Sequence, residues 1–151
     1  MSIRLLCVLG LTLGLSLMPA AHATPPETAQ AEIDYLLTYI EASGCKFYRN
    51  GTWYDAKRAQ AHLRDKYEYL AGKDRIYTAE DFIEKAATKS SLSGWPYQVR
   101  CGGIEAVPTN AWLREVLARH RCLMSRSAGS SNSLKPPYEE TRDAECRLPA
   151  P

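Results

Sequence analysis

The sequence is poor in the patterns on which most assigned chemistry rests. Beyond Leu17 no apolar run is long enough to cross a bilayer, so the remainder of the chain carries no spanning helix. The net charge is only +2, whereas a nucleic-acid binder would show a basic excess or stripe. After the N-terminal segment there are no Cys-x-x-Cys pairs, and His62 and His120 are the remaining histidines, so zinc has no recognisable ligand set. A Gly-x-x-x-x-Gly-Lys loop for phosphates is missing. Ser43-Gly44-Cys45-Lys46 fits Ser-x-x-Lys, but no Lys-Thr-Gly accompanies it and the chain is short for a penicillin-binding fold. The residues imply no metal, no cofactor and no internal repeat.

What is present begins with a targeting pattern. Arg4 supplies a positive start, Leu5 to Leu17 an apolar stretch, and Ala21-His22-Ala23 a small-x-small cleavage site. Residues 1–23 are therefore expected to be a signal peptide cut after Ala23, with a periplasmic destination. Removing Arg4 and no acid lowers the charge from +2 to +1. It also removes Cys7 and leaves Cys45, Cys101, Cys122 and Cys146, an even set in an exported chain.

The rest is organised around Ser43 to Asp55. Asn50-Gly51 favours a type I′ turn, because both residues tolerate positive φ. The register then places Arg49 opposite Thr52, Tyr48 opposite Trp53, Phe47 opposite Tyr54 and Lys46 opposite Asp55. Alternation puts Cys45, Phe47, Arg49 and Tyr54 on one face, and Lys46, Tyr48, Trp53 and Asp55 on the other.

Around this hairpin the apolar spacing predicts four helices. The first runs from about Glu27 to Ala42 on Ile33, Leu36, Leu37 and Ile40, with Thr24 as N-cap. A second follows Asp55 to about Leu70 on Ala59, Leu63, Tyr67 and Leu70, with His62 and Lys66 projecting together from its edge. Thr78-Ala79-Glu80-Asp81 opens a third, with Phe82, Ile83, Ala86 and Ala87 facing in. Trp95 to Cys101 reads as a third strand, and a fourth helix follows Pro108-Thr109-Asn110 with Leu113, Val116 and Leu117 inward. The expected fold is α+β: a compact domain over 24–124, with a flexible Ser/Pro-rich tail over 125–151.

Four cysteines allow three pairings. Tyr97, Val99 and Cys101 alternate onto one face, which continues the Cys45, Phe47 and Tyr54 face if the third strand joins the hairpin. We therefore favour Cys45 with Cys101 and Cys122 with Cys146.

Phe47-x-Arg49-Asn50-Gly51, His62-Leu63 with Lys66, Thr78-Ala79-Glu80-x-Phe82-Ile83 and Ser90-Ser91-x-Ser93-Gly94-x-Pro96-Tyr97-x-Val99 follow one another in a distinctive order. In order and spacing they resemble a family of small uncharacterised exported proteins of Gram-negative bacteria. The resemblance covers about Ile33 to Cys101 and, sparsely, the last helix, and the extension carrying Cys146 lies outside it. It implies a periplasmic address and no assigned activity.

The candidate ligand-binding residues are Arg49, Asn50, His62, Lys66, Ser90, Ser91, Ser93, Gly94 and Tyr97. Arg49 offers a planar fork for a carboxylate or phosphate, against the plainer reading of a strand-end arginine paired with a structural carboxylate or a helix C-terminus. His62 with Lys66 would hold an anion or move a proton, or else His62 simply hydrogen-bonds nearby backbone. The Ser90 to Gly94 run would expose backbone N–H groups to an anion, or merely end a helix. Tyr48 and Trp53 would stack on a ligand, or lie under the last helix or the tail.

The preferred reading is a non-enzymatic binding or accessory domain of the cell envelope. One alternative is a small hydrolase or transferase with His62 as base, Arg49 holding an anionic group and a Ser90 to Ser93 hydroxyl attacking. Another is a structural partner in an envelope assembly. Cys45 beside His62 as a nucleophile is set aside, because disulfide use is expected in that compartment.

Overall fold

The computed structural model describes residues 25–103, 105–129 and 146. The expected signal peptide over 1–23, Thr24 and the extension beyond Gly129, Cys146 excepted, lie outside the described residues.

Helix α1, Glu27–Ala42, buries Ile33, Leu36, Leu37 and Ile40 completely, as their spacing on one face demands. Its N-cap position is Pro26, and no side chain caps it. This corrects the expected Thr24 cap: proline's fixed φ starts the helix without one. Strands β1 (Lys46–Arg49) and β2 (Thr52–Asp55) follow, in the register expected from the turn. Asn50 and Gly51 both have positive φ, at 49° and 86°, as a type I′ turn requires.

Helix α2, Ala56–Ala71, starts on Asp55, whose carboxylate accepts the Arg58 N–H at 2.8 Å. Helix α3, Ala79–Ala86, starts on Thr78, whose hydroxyl accepts the Asp81 N–H at 3.0 Å. The reciprocal half of the box is displaced, since Asp81 accepts from the Tyr77 N–H instead of that of Thr78. An aspartate is one methylene shorter than the usual glutamate.

The third strand, β3, is Gln98–Arg100, shorter than the Trp95 to Cys101 expected. Pro96 makes an isolated bridge to Lys89, and Gly94 turns with φ 73° just before it. A fourth strand, β4 (Val107–Pro108), completes an antiparallel sheet ordered β2-β1-β3-β4. It is two residues long and holds a proline, so it leaves no alternation to read in sequence. Helix α4 runs from Thr109 to Gly129. The change of composition at Ser125 therefore does not end this helix, which continues five residues into the stretch read as tail.

The fold is α+β, four helices with a four-stranded sheet. Helices α2 and α4 contact the sheet, and α1 packs behind against α2, α3 and α4. Phe82, Ile83, Val99 and Leu113 lie in the shared core with exposures of 1% or less, each contributing roughly 1.5–3 kcal/mol by its burial. Trp112 joins α4 to the sheet through an edge contact with Phe47, ring centroids 5.8 Å apart.

The two cysteine pairs are Cys45–Cys101 and Cys122–Cys146. Because Lys46 lies opposite Arg100 in the β1–β3 ladder, Cys45 and Cys101 fall directly opposite one another. Their Cα atoms are 4.4 Å apart. Residues of the opposite sheet face behave differently: Tyr48 and Trp53 are half-buried against each other, and the Arg100 guanidinium lies 4.5 Å over the Trp53 ring.

Candidate functional site

The turn of the hairpin and the loop after α3 meet. Ser93 Oγ donates to Asn50 Oδ1 at 2.7 Å, across forty-three positions of sequence. The loop is held from within as well: the buried Ser90 Oγ accepts the Leu92 and Ser93 N–H groups, and Ser90 N–H donates to the Trp95 carbonyl at 2.9 Å. Those N–H groups are thus turned inward, against the anion-cradle reading of Ser90 to Gly94. Ser91 is exposed on the outside of the turn.

From α2, His62 reaches the same region. Its Nε2 lies 3.2 Å from the Tyr97 hydroxyl, one turn before Lys66, whose ammonium sits 5.3 Å over the Tyr97 ring. Lys66 also donates to the Lys89 carbonyl at 2.7 Å, tying α2 to the end of the α3 segment. Arg49, Asn50, His62, Lys66, Ser90, Ser93, Gly94 and Tyr97 are therefore gathered on one side of the molecule.

Beside them, between α2 and the inner sheet face, is a cavity of about 250 Å³. Its rim carries the half-buried Arg49 and Tyr54 with the exposed Arg58 and Asp65. The two guanidinium carbons lie 5.1 and 5.2 Å from the Tyr54 centroid. No ion pair among the described residues involves either arginine or Asp65. Arg49 is thus not the carboxylate-paired arginine of the plainer reading. The inner wall is apolar and buried, made by Phe47, Leu63 and Tyr97, with Thr109 at the start of α4.

Burial is the largest influence on the titration of His62, Lys66 and Tyr97. Burial lowers the His62 pKa, and Arg49 and Lys66 lower it further, while Asp65 opposes them. Burial, followed by the neighbouring Lys89, lowers that of Lys66. Burial raises Tyr97, and the Arg49 guanidinium beside the Tyr54 hydroxyl lowers Tyr54. Burial disfavours charge of either sign, so only the Arg49 and Lys66 contributions at His62 act in favour of an anion.

Nucleophilic chemistry finds little here. His62 meets a tyrosine hydroxyl, the Ser93 hydroxyl is engaged with Asn50, and the Ser90 oxygen accepts backbone N–H groups. Sequence reasoning missed Arg58, Tyr54, Asp65 and Thr109 as cavity residues. Arg58 was findable, since it lies one turn before His62 and must project from the same helix edge. Thr109 carried no such signal, because only the packing of α4 against the sheet brings it there.

A family model described as a family of unknown function (DUF5329) matches residues 27–121, from the start of α1 well into α4. The chain belongs to this family. The DUF5329 region thus runs from α1 through β4 into α4, to residue 121, and includes every candidate ligand-binding residue named above. The uncharacterized protein YfeK of Salmonella typhimurium (strain LT2) is 38% identical over 69 residues, 45% of this chain and 56% of that protein. The chain therefore spans little more than half the length of that relative. No solved structure matches.

Proposed function

We propose that this DUF5329 protein is an exported, non-enzymatic binding domain of the cell envelope whose cavity holds a small anion. The observation that carries the reading is the rim: Arg49 and Arg58 flank Tyr54 with no carboxylate partner among the described residues. An arginine fork binds carboxylate or phosphate bidentately, and two such forks beside an apolar wall are suited to one acidic group. The size of the cavity restricts the ligand, since drug-sized molecules occupy roughly 300–1,000 Å³. Two disulfide pairs support an oxidising compartment, and among the described residues no helix is long and apolar enough to cross a membrane.

Isothermal titration of the oxidised protein with benzoate and with inorganic phosphate tests the reading. At least one probe binds the wild type, and the Arg49→Ala, Arg58→Ala double variant weakens it tenfold or more. Failure of both probes to bind, or equal binding by the double variant, overturns the proposal. Fractionation of cells is expected to recover the protein from the periplasm with its cysteines oxidised.

A further inference from the structure

Thr109 is 1% exposed, and its hydroxyl has no hydrogen-bond partner among the described residues. Its backbone N–H donates to the Tyr97 carbonyl at 3.1 Å. An unsatisfied buried hydroxyl is destabilising, and valine would fill a similar volume without that cost. Thr109 nevertheless lines the same cavity as Arg49 and Arg58, and its burial sets it deeper than the half-buried Arg49 and the exposed Arg58. The buried Phe47, Leu63 and Tyr97 line it as well. An inorganic anion bound at the rim would leave that apolar wall and the Thr109 hydroxyl unmet.

We infer that the cavity takes a small organic acid with two polar ends, its carboxylate at the Arg49 and Arg58 rim and a hydroxyl or carbonyl at the inner end bonded to Thr109 Oγ1. This rests on the binding reading above and narrows it to a chemical class. The body between the ends is flat or branched and apolar, because it lies against two aromatic rings and a leucine. The threonine hydroxyl both donates and accepts, so it serves either kind of inner group. Sites that satisfy a buried polar group discriminate strongly against a ligand lacking its partner.

Titration calorimetry on matched probes separates this from simple anion binding. The probes are benzoate with 4-hydroxybenzoate, and the longer pair phenylacetate with 4-hydroxyphenylacetate. In the wild type the hydroxylated member of at least one pair binds fivefold or more tightly than its parent. That gain disappears in Thr109→Val, while the parent acid binds the variant as it binds wild type. Thr109→Val removes a hydroxyl that bonds nothing among the described residues, so a thermal melt should show it folded and no less stable. Equal affinities within both pairs, or a gain that survives in Thr109→Val, overturn the inference and leave the anion site standing. If none of the four acids binds and phosphate does, the site is confined to the rim and the inference fails alone. Should phosphate and benzoate both fail, the binding reading falls with it.

Discussion

Asn50 and Ser93 are joined by a hydrogen bond of 2.7 Å that fastens the hairpin turn to the loop after α3. Asn50 therefore has two duties, a positive φ for the turn and a side-chain acceptor for the loop. Asn50→Gly separates them, because glycine keeps the turn and removes the acceptor. We expect a loss of about 0.5–1.5 kcal/mol in urea unfolding, together with faster hydrogen exchange at Leu92, Ser93 and Trp95. Unchanged exchange in that loop would show that its internal bonds hold it without the turn.

The Cys45–Cys101 bond closes a separation of 56 residues. In the chain-entropy model such a loop is worth about 4 kcal/mol, a large share of the roughly 5–15 kcal/mol that keeps a domain folded. The Cys45→Ala, Cys101→Ala variant should lower the urea midpoint accordingly, with the slope of unfolding altered by a less restricted denatured chain. A midpoint equal to that of wild type would sink the structural role given to this bond.

His62 makes the fold sensitive to mild acid. Its folded pKa lies below the ordinary 6.5, chiefly through burial and then through Arg49 and Lys66. The unfolded chain thus takes up the proton more readily, so stability is fullest above pH 6.5 and declines as pH falls through the folded value. His62→Gln should flatten the stability profile between pH 7.5 and 5. An anion bound at the rim acts in the opposite sense by favouring the imidazolium, so benzoate affinity should rise as pH falls, by at most about tenfold per pH unit for one proton. An affinity independent of pH across that range would mean that the anion lies out of reach of His62.

Arg121 of α4 bonds Glu32 of α1 at 2.6 and 2.8 Å and Glu80 of α3 at 2.6 Å. The arginine and Glu80 side chains are 46% and 47% exposed, so solvent screening discounts the pair. We expect Arg121→Met to cost about 1 kcal/mol at neutral pH. The Arg121 hydrogen bond holds Glu80 below the usual carboxylate range. Its contribution is therefore complete above the unfolded pKa, near 4.5, and is lost as pH falls through the lowered folded value. Denaturation curves of variant and wild type should converge in acid and in 1 M salt.

The parts of this protein legible in sequence are those governed by neighbours along the chain. Ile33, Leu36, Leu37 and Ile40 announced α1, and Asn50-Gly51 announced both the turn and the register on which the first cysteine pairing rests. Thr78 and Asp55 announced their helices by capping them. What escaped depends on packing between distant segments. Strand β4 is too short to carry a pattern, and α4 outruns its apolar face into Ser125 to Gly129. At the site, Arg49, His62 and Tyr97 were readable as polar groups on predictable faces. Thr109 was read only as the start of a helix, because its position in the cavity wall is a property of the whole fold.

The facing positions of Cys45 and Cys101 have one further consequence, for how the chain is made. Sliding the two strands by a single step would reverse which way every side chain points and carry the sulfurs out of range of each other. Oxidation can seal only the correct alignment, so the step that joins these thiols doubles as proofreading, and misaligned chains stay open to another attempt.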